Sequence, residues 1–233
     1  MTALFVAGTG TGVGKTYCTV QLVRAARARG VRVDAIKPVI SGYDAAAPRG
    51  SDTAELVAAL GAPLDEAHVA RSSPWRFREP LSPDMAARRE GRRIAFEELV
   101  EFCKRSAQGS AELTLVEGVG GVMVPLDDAH TVLDWIAALA SPVVLVAGSY
   151  LGTLSHTLTA VLALQAHGCE LAAVLVAESP AQPVQIEETA RTIERFLPPL
   201  CAERPPPVAV VPRGGTHENV TIFAELVERY GRS

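Results

Sequence analysis

The chain has 233 residues, of which 48% are hydrophobic and 21% are charged, values typical of a globular protein rather than a disordered chain or a coiled coil. Lysine and arginine number 22 and aspartate and glutamate 26, so the net charge is −4. This charge argues against a nucleic-acid-binding protein and against a basic membrane-surface protein. A chain of this length can bury a core of its own, and we expect a single domain over residues 1–233.

The cysteines and the apolar runs indicate a cytoplasmic protein. Cys18, Cys103, Cys169 and Cys201 are widely and irregularly spaced, which favours buried thiols over a zinc site or a redox pair. No basic segment precedes the first apolar run, so no secretory signal is predicted. The longest apolar stretch, residues 136–148, is interrupted by a proline and is shorter than the roughly 20 residues that a membrane span needs.

Short apolar runs alternate with segments of helical periodicity along the chain. Strands are predicted at 4–7, 31–39, 113–116, 143–147, 172–177 and 208–211, and helices at 15–29, 52–60, 96–106, 131–140, 154–166, 186–196 and 222–230. Most runs are apolar on consecutive positions, as in strands that are covered on both faces. We therefore predict an α/β protein with a doubly wound, mainly parallel β-sheet flanked by helices. The polar, weakly periodic segment 41–93 is expected to be an excursion that carries substrate loops.

The first predicted strand runs into a glycine-rich turn and then into a helix. The turn reads Gly-Thr-Gly-Thr-Gly-Val-Gly-Lys-Thr at residues 8–16. In such a turn the backbone N–H groups wrap around phosphate oxygens, Lys15 can reach the β- and γ-phosphates, and the Thr16 hydroxyl can ligate Mg²⁺. The strict phosphate-loop (P-loop) pattern has a glycine where this chain has Thr9, and Gly8 comes one residue earlier. A variant P-loop is therefore predicted. A P-loop alone does not distinguish between a motor, a switch, a kinase and a ligase.

Three charged residues lie at the boundaries of later predicted strands and helices. Lys37 ends the second predicted strand, where it can stabilise charge on a transferring group or lie in solvent. Asp52 begins a helix, which it can cap, or it can face Mg²⁺. Glu117 ends an apolar strand and precedes Gly-Val-Gly-Gly, and P-loop proteins typically hold their metal with an acid in that place.

A further turn follows the predicted strand at 143–147. It reads Ser-Tyr-Leu-Gly-Thr-Leu-Ser-His at residues 149–156 and opens a helix. Exposed amides at a helix start form an anion site, and because no lysine follows we interpret it as a carboxylate site. Ordinary capping by Thr153 or Ser155 is the alternative. His156 is more typical of a packing or capping residue than of a catalyst.

Taken together, these motifs resemble the ATP-dependent dethiobiotin synthetases of biotin biosynthesis over essentially the whole chain. The resemblance lies in the P-loop, in Lys-Pro-Val at 37–39, in Ser51-Asp52, in Glu-Pro-Leu-Ser-Pro at 79–83, in Val-Glu-Gly-Val-Gly-Gly at 116–121 and in Leu-Gly-Thr-Leu-Ser-His at 151–156. It implies a homodimeric ligase with a P-loop NTPase-like fold. The ligase would make dethiobiotin from 7,8-diaminononanoate and CO₂, through a carbamate that ATP phosphorylates.

The resemblance also implies a role for each group of site residues. Lys15 and Lys37 would be the catalytic lysines, while Thr16, Asp52 and Glu117 would hold Mg²⁺. ATP would contact Gly12, Val13, Gly14, Lys15, Thr16, Tyr17, Asp52, Glu117, Gly118, Val119, Gly120, Glu178, Ser179, Pro212 and Arg213. The diamine would contact Ser41, Thr11, Tyr150, Leu151, Gly152, Thr153 and Ser155, with residues 150–155 acting across the dimer interface.

Four positions depart from the pattern of that family. Gly12 and Asp84 stand where some members have an acid and a histidine, respectively, and Ser155 stands where an asparagine is common. Glu178 stands where many members have an asparagine that reads adenine, so the base preference stays open. Two other classes of P-loop protein fit the sequence less well. A cobyrinate diamide synthase would need a glutaminase domain for which 233 residues leave no room, and a partitioning ATPase would need a second lysine that residues 9–13 lack.

Overall fold

A parallel β-sheet organises the part of the chain that the computed structural model describes, residues 2–201 and 204–231. The strands are β1 (Thr2–Gly8), β2 (Val33–Ile36), β3 (Val39–Ser41), β4 (Trp75–Phe77), β5 (Leu113–Glu117), β6 (Val143–Gly148), β7 (Leu171–Ala177) and β8 (Val208–Val211). Six of them form one sheet in the order β2-β5-β1-β6-β7-β8, with every neighbouring pair parallel. The other two, β3 and β4, pair as a small parallel sheet of their own.

Helices cover both faces of the large sheet. They are α1 (Lys15–Ala28), α2 (Asp52–Ala59), α3 (Glu66–Ser72), α4 (Pro83–Arg89), α5 (Phe96–Ala107), α6 (Val132–Leu139), α7 (Thr153–Ala166), α8 (Ile186–Phe196) and α9 (Ile222–Tyr230). Residues of α1, α2 and α9 form the core on one face, and residues of α4 to α8 form the core on the other. In the described ranges, no helix is both long enough and apolar enough to span a membrane.

The central strand shows why consecutive apolar residues predict a sheet that is covered on both sides. Phe5 and Ala7 of β1 face the core beneath α6, where the ring of Phe5 meets that of Trp135 edge to face at 4.9 Å. Leu4 and Val6 face the opposite core, beneath α1. Side chains alternate between the faces of a strand, so burial on both faces requires an apolar residue at every position. The predicted doubly wound α/β fold is confirmed.

The predicted strand at 31–39 is wrong in its extent. The chain forms β2 only over Val33–Ile36 and then leaves the large sheet, and β3 begins at Val39 in the small one. Pro38 has no N–H to donate to a ladder, so the strand cannot continue through it. The carbonyl of Lys37 accepts from the Ser73 hydroxyl at 2.6 Å instead of from a neighbouring strand. This departure turns the Lys37 side chain into the interior.

The segment 41–93 is more ordered than the sequence predicts. Besides the expected helix α2, it contains α3, β4 and α4, none of which was predicted. Both helices have only seven residues, too short for an apolar period to stand out. The segment nevertheless anchors itself in the core, because Phe77 is fully buried and Ala86 and Ala87 pack beside it.

Three of the four cysteines behave as buried apolar residues, as predicted. Cys18, Cys103 and Cys169 are buried, and none of the four forms a disulfide. Burial raises the pKa of the Cys18 and Cys103 thiols to about 12, which leaves them unreactive. Cys201 differs, since it is partly exposed.

Candidate active site

The glycine-rich loop joins β1 to α1 and leaves the first turn of α1 open. Gly12 and Gly14 adopt φ values of 70° and 97°, in the left-handed region that favours glycine. Gly14 is the N-cap of α1, and no side chain of the described residues caps this helix. The first N–H groups of α1 are therefore available to an anion, at the positive end of the helix dipole.

The Lys15 side chain folds back over the loop. Its Nζ donates to the carbonyls of Gly10 and Gly120, both at 2.8 Å. A Cβ at Gly8 would lie 2.9 Å from both Cδ and Nζ of Lys15, which explains why this loop has its first glycine at residue 8. Burial, and then the charge of Lys37, lowers the pKa of Lys15 to about 8. The ammonium is thus held beside the open helix start, where a phosphate can reach it.

Lys37 lies at the centre of an ionic cluster in which Glu117 is buried and the side chain of Asp52 is 45% exposed. Its Nζ is 2.6 Å from Oε1 of Glu117 and 2.9 Å from Oδ2 of Asp52. The Thr16 hydroxyl donates to the same Oε1 at 2.6 Å. Burial alone would lower the pKa of Lys37, but the two carboxylates outweigh it and the pKa is raised. The alternative of a solvated lysine is excluded, because only 3% of Lys37 is exposed.

Asp52 is free to join this cluster because its neighbour caps the helix. The Ser51 hydroxyl accepts from the N–H of Ala54 at 3.2 Å, so Ser51 is the N-cap of α2. Burial would raise the pKa of Asp52, but the Lys37 ammonium outweighs it and lowers the pKa below its usual range. The carboxylate of Asp52 is therefore ionised and directed at the cluster rather than at its own helix.

The cluster has the donor chemistry of a site for a hard divalent cation. Two carboxylates and the Thr16 hydroxyl meet there, and Oε2 of Glu117 is buried without a hydrogen-bond partner in the part of the chain that is described. Mg²⁺ prefers such oxygen ligands and keeps several waters. Across the described residues no three His, Cys, Asp or Glu side chains gather as a metal site, so phosphate and water would have to supply the remaining ligands.

A cavity of about 810 Å³ opens above the cluster. The predicted residues that line it are Thr11, Gly12, Gly14, Lys15, Thr16, Tyr17, Lys37, Ser41, Asp52, Val119 and Gly120. Four features were not assigned to the site from the sequence: Ile40, Glu55, residues 80–83 and Val124. Glu55 follows Asp52 by three positions, which places both carboxylates on one face of α2, and that spacing was a signal available in the sequence.

The glycines after β5 allow the loop that follows this strand to pack closely. A Cβ at Gly118 would lie 2.9 Å from the ring of Phe5, and a Cβ at Gly121 would lie 3.1 Å from the carbonyl oxygen of Thr9. These glycines therefore let the loop after β5 pack against β1 and the P-loop, in addition to any approach to a ligand.

The residues predicted to surround the base lie together at the ends of β7 and β8. Oε2 of Glu178 accepts from the N–H of Arg213 at 2.7 Å, which joins the loops that follow the two strands. Ser179 exchanges two hydrogen bonds with Ser149, the residue after β6. The Tyr17 hydroxyl donates to the carbonyl of Gly215 and so connects α1 to this region.

The predicted carboxylate segment, residues 150–155, lies elsewhere. None of the described residues that line the cavity belongs to it. Gly152 is the N-cap of α7 with a φ of 99°, and the described side chains provide no cap. The Thr153 hydroxyl donates to the carbonyl of Gly148 at 2.6 Å, so capping by Thr153 or Ser155 is excluded and the helix start is open. Leu151 beside it is 85% exposed.

The parallel sheet, the glycine-rich loop and the acid at the end of β5 define a P-loop NTPase. Among solved structures, the chain is similar to the MinC:MinD cell division protein complex of Aquifex aeolicus. The TM-score is 0.58 at 12% sequence identity, over 98% of this chain and 96% of that chain. At this identity the likeness shows the fold alone.

Sequence comparison identifies the family within the P-loop NTPases to which the chain belongs. A family model described as an AAA domain matches residues 2–219. The ATP-dependent dethiobiotin synthetase BioD of Acidiphilium cryptum (strain JF-5) is 50% identical over 212 residues, 90% of this chain and 93% of the relative. The protein of the same name from Caulobacter sp. (strain K31) is 47% identical over 215 residues, 92% and 89% of the two chains. The chain belongs to the dethiobiotin synthetase family, and the resemblance inferred from its motifs is confirmed.

Proposed function

We propose that this chain closes the ureido ring of dethiobiotin from 7,8-diaminononanoate, CO₂ and ATP. The observation that carries the proposal is the cluster of Lys37, Asp52, Glu117 and Thr16 beneath a cavity that the P-loop borders. A P-loop alone serves many reactions. The family membership and a buried lysine facing the cavity favour phosphorylation of a small substrate.

The chemistry explains why such a site needs both lysines. One amine of the substrate captures CO₂ as a carbamate, and a carbamate oxygen is a poor leaving group. The γ-phosphoryl group of ATP is transferred to that oxygen, and ADP leaves. The second amine then attacks the carbonyl carbon and loses a proton, which closes the ring and releases phosphate. Negative charge develops on the phosphoryl oxygens during transfer, and the ammonium groups of Lys15 and Lys37 stabilise it.

The remaining cavity residues divide between the two substrates. The open helix start at Gly12–Gly14 and the ammonium of Lys15 hold the triphosphate, with Tyr17 at the ribose end. Ser41 and Thr11 line the same cavity as Lys37, where they would contact the diamine or its carbamate. Asp84, the departure from the family pattern, accepts from the Ser82 hydroxyl at 2.6 Å and so holds this edge of the cavity in place.

Thr16, Asp52 and Glu117 would hold the Mg²⁺ that accompanies ATP. The fit rests on their hard oxygen atoms and on the unpartnered, buried Oε2 of Glu117. When bound, the ion would neutralise negative charge on the phosphates.

A homodimer explains the position of residues 150–155. Leu151, Leu154 and Leu162 are exposed, and Leu158 between them is partly buried. A spacing of four residues places Leu154, Leu158 and Leu162 along one side of α7, and Leu151 lies just before the helix begins. Such an apolar stripe is typical of a protein interface. Pairing two copies through α7 would bring the open helix start of one copy to the diamine carboxylate in the other.

A product assay tests this function. The chain is incubated with diaminononanoate, bicarbonate, Mg²⁺ and ATP, and dethiobiotin is followed by mass spectrometry. We expect product, and ATP turnover that depends on both bicarbonate and the diamine. ATP turnover that is independent of the diamine would favour a partitioning ATPase instead. A cytoplasmic location is part of this proposal, and the four free cysteines support it, because reduced thiols are usual in that compartment.

A further inference from the structure

We infer that Lys37 acts as a tethered cation that excludes free divalent metal ions from the active site until a nucleoside triphosphate is bound. The inference rests on the proposed function, since it assumes that Asp52 and Glu117 are the metal ligands. It adds to that function an order of events: the ion enters with the nucleotide, and Lys37 is then released toward the transferring group.

The ammonium of Lys37 already fills the place between the two carboxylates. Its three hydrogens have three acceptors: Oε1 of Glu117 at 2.6 Å, Oδ2 of Asp52 at 2.9 Å and the carbonyl of Gly118 at 3.5 Å. Thr16 donates to the same Oε1 of Glu117. A metal ion that bound Asp52 and Glu117 together would have to displace the ammonium from both.

The two ammonium groups offset the attraction of the site for a free cation. Lys15 and Lys37 contribute two positive charges, which balance the two negative charges of Asp52 and Glu117, and Glu55 on the cavity wall adds one further carboxylate. Replacing Lys37 with a neutral residue leaves one more negative charge uncompensated beside the buried Glu117, where charges interact several times more strongly than in water. A bound triphosphate adds about four negative charges, and the site then favours a divalent ion.

The geometry also shows which group moves. Glu117 is fully buried at the end of β5, so its carboxylate is fixed. Lys37 lines the cavity and has a flexible four-carbon stem. The ammonium can therefore leave the carboxylates and turn into the cavity, where the transferring phosphoryl group would lie. The same lysine that closes the metal site would thus become available to the reaction when the metal arrives.

A binding measurement with Mn²⁺ tests this role without turnover. Binding is detected as a loss of the electron paramagnetic resonance signal of the free ion. In the absence of nucleotide, we expect Lys37→Met to bind Mn²⁺ at least about tenfold more tightly than the wild type. Adding Glu117→Gln to that variant should abolish the gain, which assigns it to this site. Lys37→Arg, which keeps the positive charge, should bind as weakly as the wild type.

Lys15→Met is the matched control, because Lys15 contacts only carbonyl oxygens and its removal should raise Mn²⁺ affinity less.

If Lys37→Met does not fold, Lys37→Gln replaces it, since the amide can still donate to Glu117. Equal Mn²⁺ affinity of the wild type and the neutral variants would overturn the inference. If the wild type makes dethiobiotin but binds Mn²⁺ as tightly as the neutral variants, only the inference of metal exclusion is overturned. If the wild type makes no dethiobiotin, the proposed function is overturned.

Discussion

The hydroxyl of Thr16 donates a 2.6 Å hydrogen bond to Oε1 of Glu117, the same oxygen that accepts from Lys37. This contact joins the residue after the P-loop lysine to the end of β5, about a hundred positions away in the sequence. One carboxylate oxygen therefore orients a candidate metal ligand and a candidate catalytic lysine together, while Oε2 of Glu117 stays unpartnered among the described residues.

Glu117→Gln should abolish activity far more than it lowers stability. The amide keeps the shape of the side chain but removes the negative charge that would hold Mg²⁺ and that pairs with Lys37. We expect dethiobiotin formation to fall by at least about 100-fold, on the scale of losing one preorganised electrostatic group. Turnover is measured over a Mg²⁺ titration, and thermal unfolding is measured in parallel. Glu98→Gln, on the exposed side of α5, is the control, and near-normal turnover of Glu117→Gln at saturating Mg²⁺ would contradict the assignment.

Lys37→Ala should lower kcat much more than it weakens ATP binding. In the proposed function, the uncapped start of α1 and Lys15 would hold the triphosphate without Lys37, and the Lys37 ammonium would act on the charge that develops during transfer. We expect kcat to fall by at least about 100-fold while the ATP dissociation constant changes by less than about fivefold. Single-turnover kinetics and isothermal titration with ATP separate the two effects. Lys104→Ala, exposed on α5, should change neither, and a collapse of ATP affinity with kcat preserved would exclude the role.

Much of the fold could be read from the sequence because burial on both faces leaves a simple pattern. The strand predicted at 143–147 is observed as Val143–Gly148, and the strand predicted at 208–211 is observed with those bounds. The prediction at 31–39 failed because Pro38 and the Ser73 hydroxyl redirect the chain, and the second of these is a tertiary contact. Helices α3 and α4 were missed because seven residues carry too little periodicity.

The candidate site could be predicted only in part, for a related reason. Lys15, Thr16 and Glu117 stand out because each follows an apolar strand directly or through a glycine-rich turn. The contacts of Lys37 with both carboxylates depend on how β2, α2 and β5 converge, which no local pattern records. Glu55 lines the cavity for the same reason and was not recognised.

Leu162→Glu should disrupt the proposed dimer without unfolding the chain. Leu162 is 54% exposed on α7 and lies two turns beyond the segment 150–155, so it does not contact a ligand bound there. We expect sedimentation analysis to show a dimer for the wild type and a monomer for the variant, with an unchanged circular dichroism spectrum. The monomer should bind ATP but not the diamine. Arg24→Glu on α1, across the sheet, should remain dimeric, and a monomer with full activity would exclude a shared site.

The N-terminus of α6 should contribute stability that depends on pH. Thr131 and Asp134 form a capping box, in which the N–H and hydroxyl of Thr131 both donate to Oδ2 of Asp134 at 2.7 Å. The N–H of Thr131, and then its hydroxyl, lower the pKa of Asp134 below its ordinary value of 3.8. A group whose pKa is lower in the folded state stabilises the fold above its unfolded pKa, and this stability is lost as the pH falls through the folded value.

We therefore expect Asp134→Ala to lower the free energy of unfolding by about 1 kcal/mol at pH 7, and by less as the pH falls below about 4. Urea unfolding at pH 7, 5 and 3 measures the difference from the wild type. Asp128→Ala provides the matched control, because the side chain of Asp128 is 96% exposed and its partner, Arg88, is itself largely exposed. A difference for Asp134→Ala that stays constant down to pH 3 would show that the charge of the cap is not what stabilises α6.

We expect Glu178 to limit how well this chain distinguishes the nucleotide base. An asparagine in that place can donate to N7 of adenine and accept from its exocyclic amine, whereas a glutamate can only accept. Here Oε2 of Glu178 already accepts from the N–H of Arg213 at 2.7 Å, and Oε1 lies 3.4 Å from Nε2 of Gln182. If Glu178 faces the base, we expect at least one base contact, worth about 1–3 kcal/mol of discrimination, to be missing, while the P-loop should hold the triphosphate whatever base is attached.

We predict that CTP or GTP supports turnover with a kcat/KM within about 100-fold of that for ATP, a gap of about 2.7 kcal/mol. Glu178→Asn should widen that gap, because the amide restores the donor to N7. The assay compares dethiobiotin formation with each triphosphate at one Mg²⁺ concentration. Glu187→Gln, exposed on α8, should leave the ratios unchanged. An ATP preference well above 100-fold in the wild type would show that other groups, such as the backbone at Pro212 and Arg213, read the adenine instead.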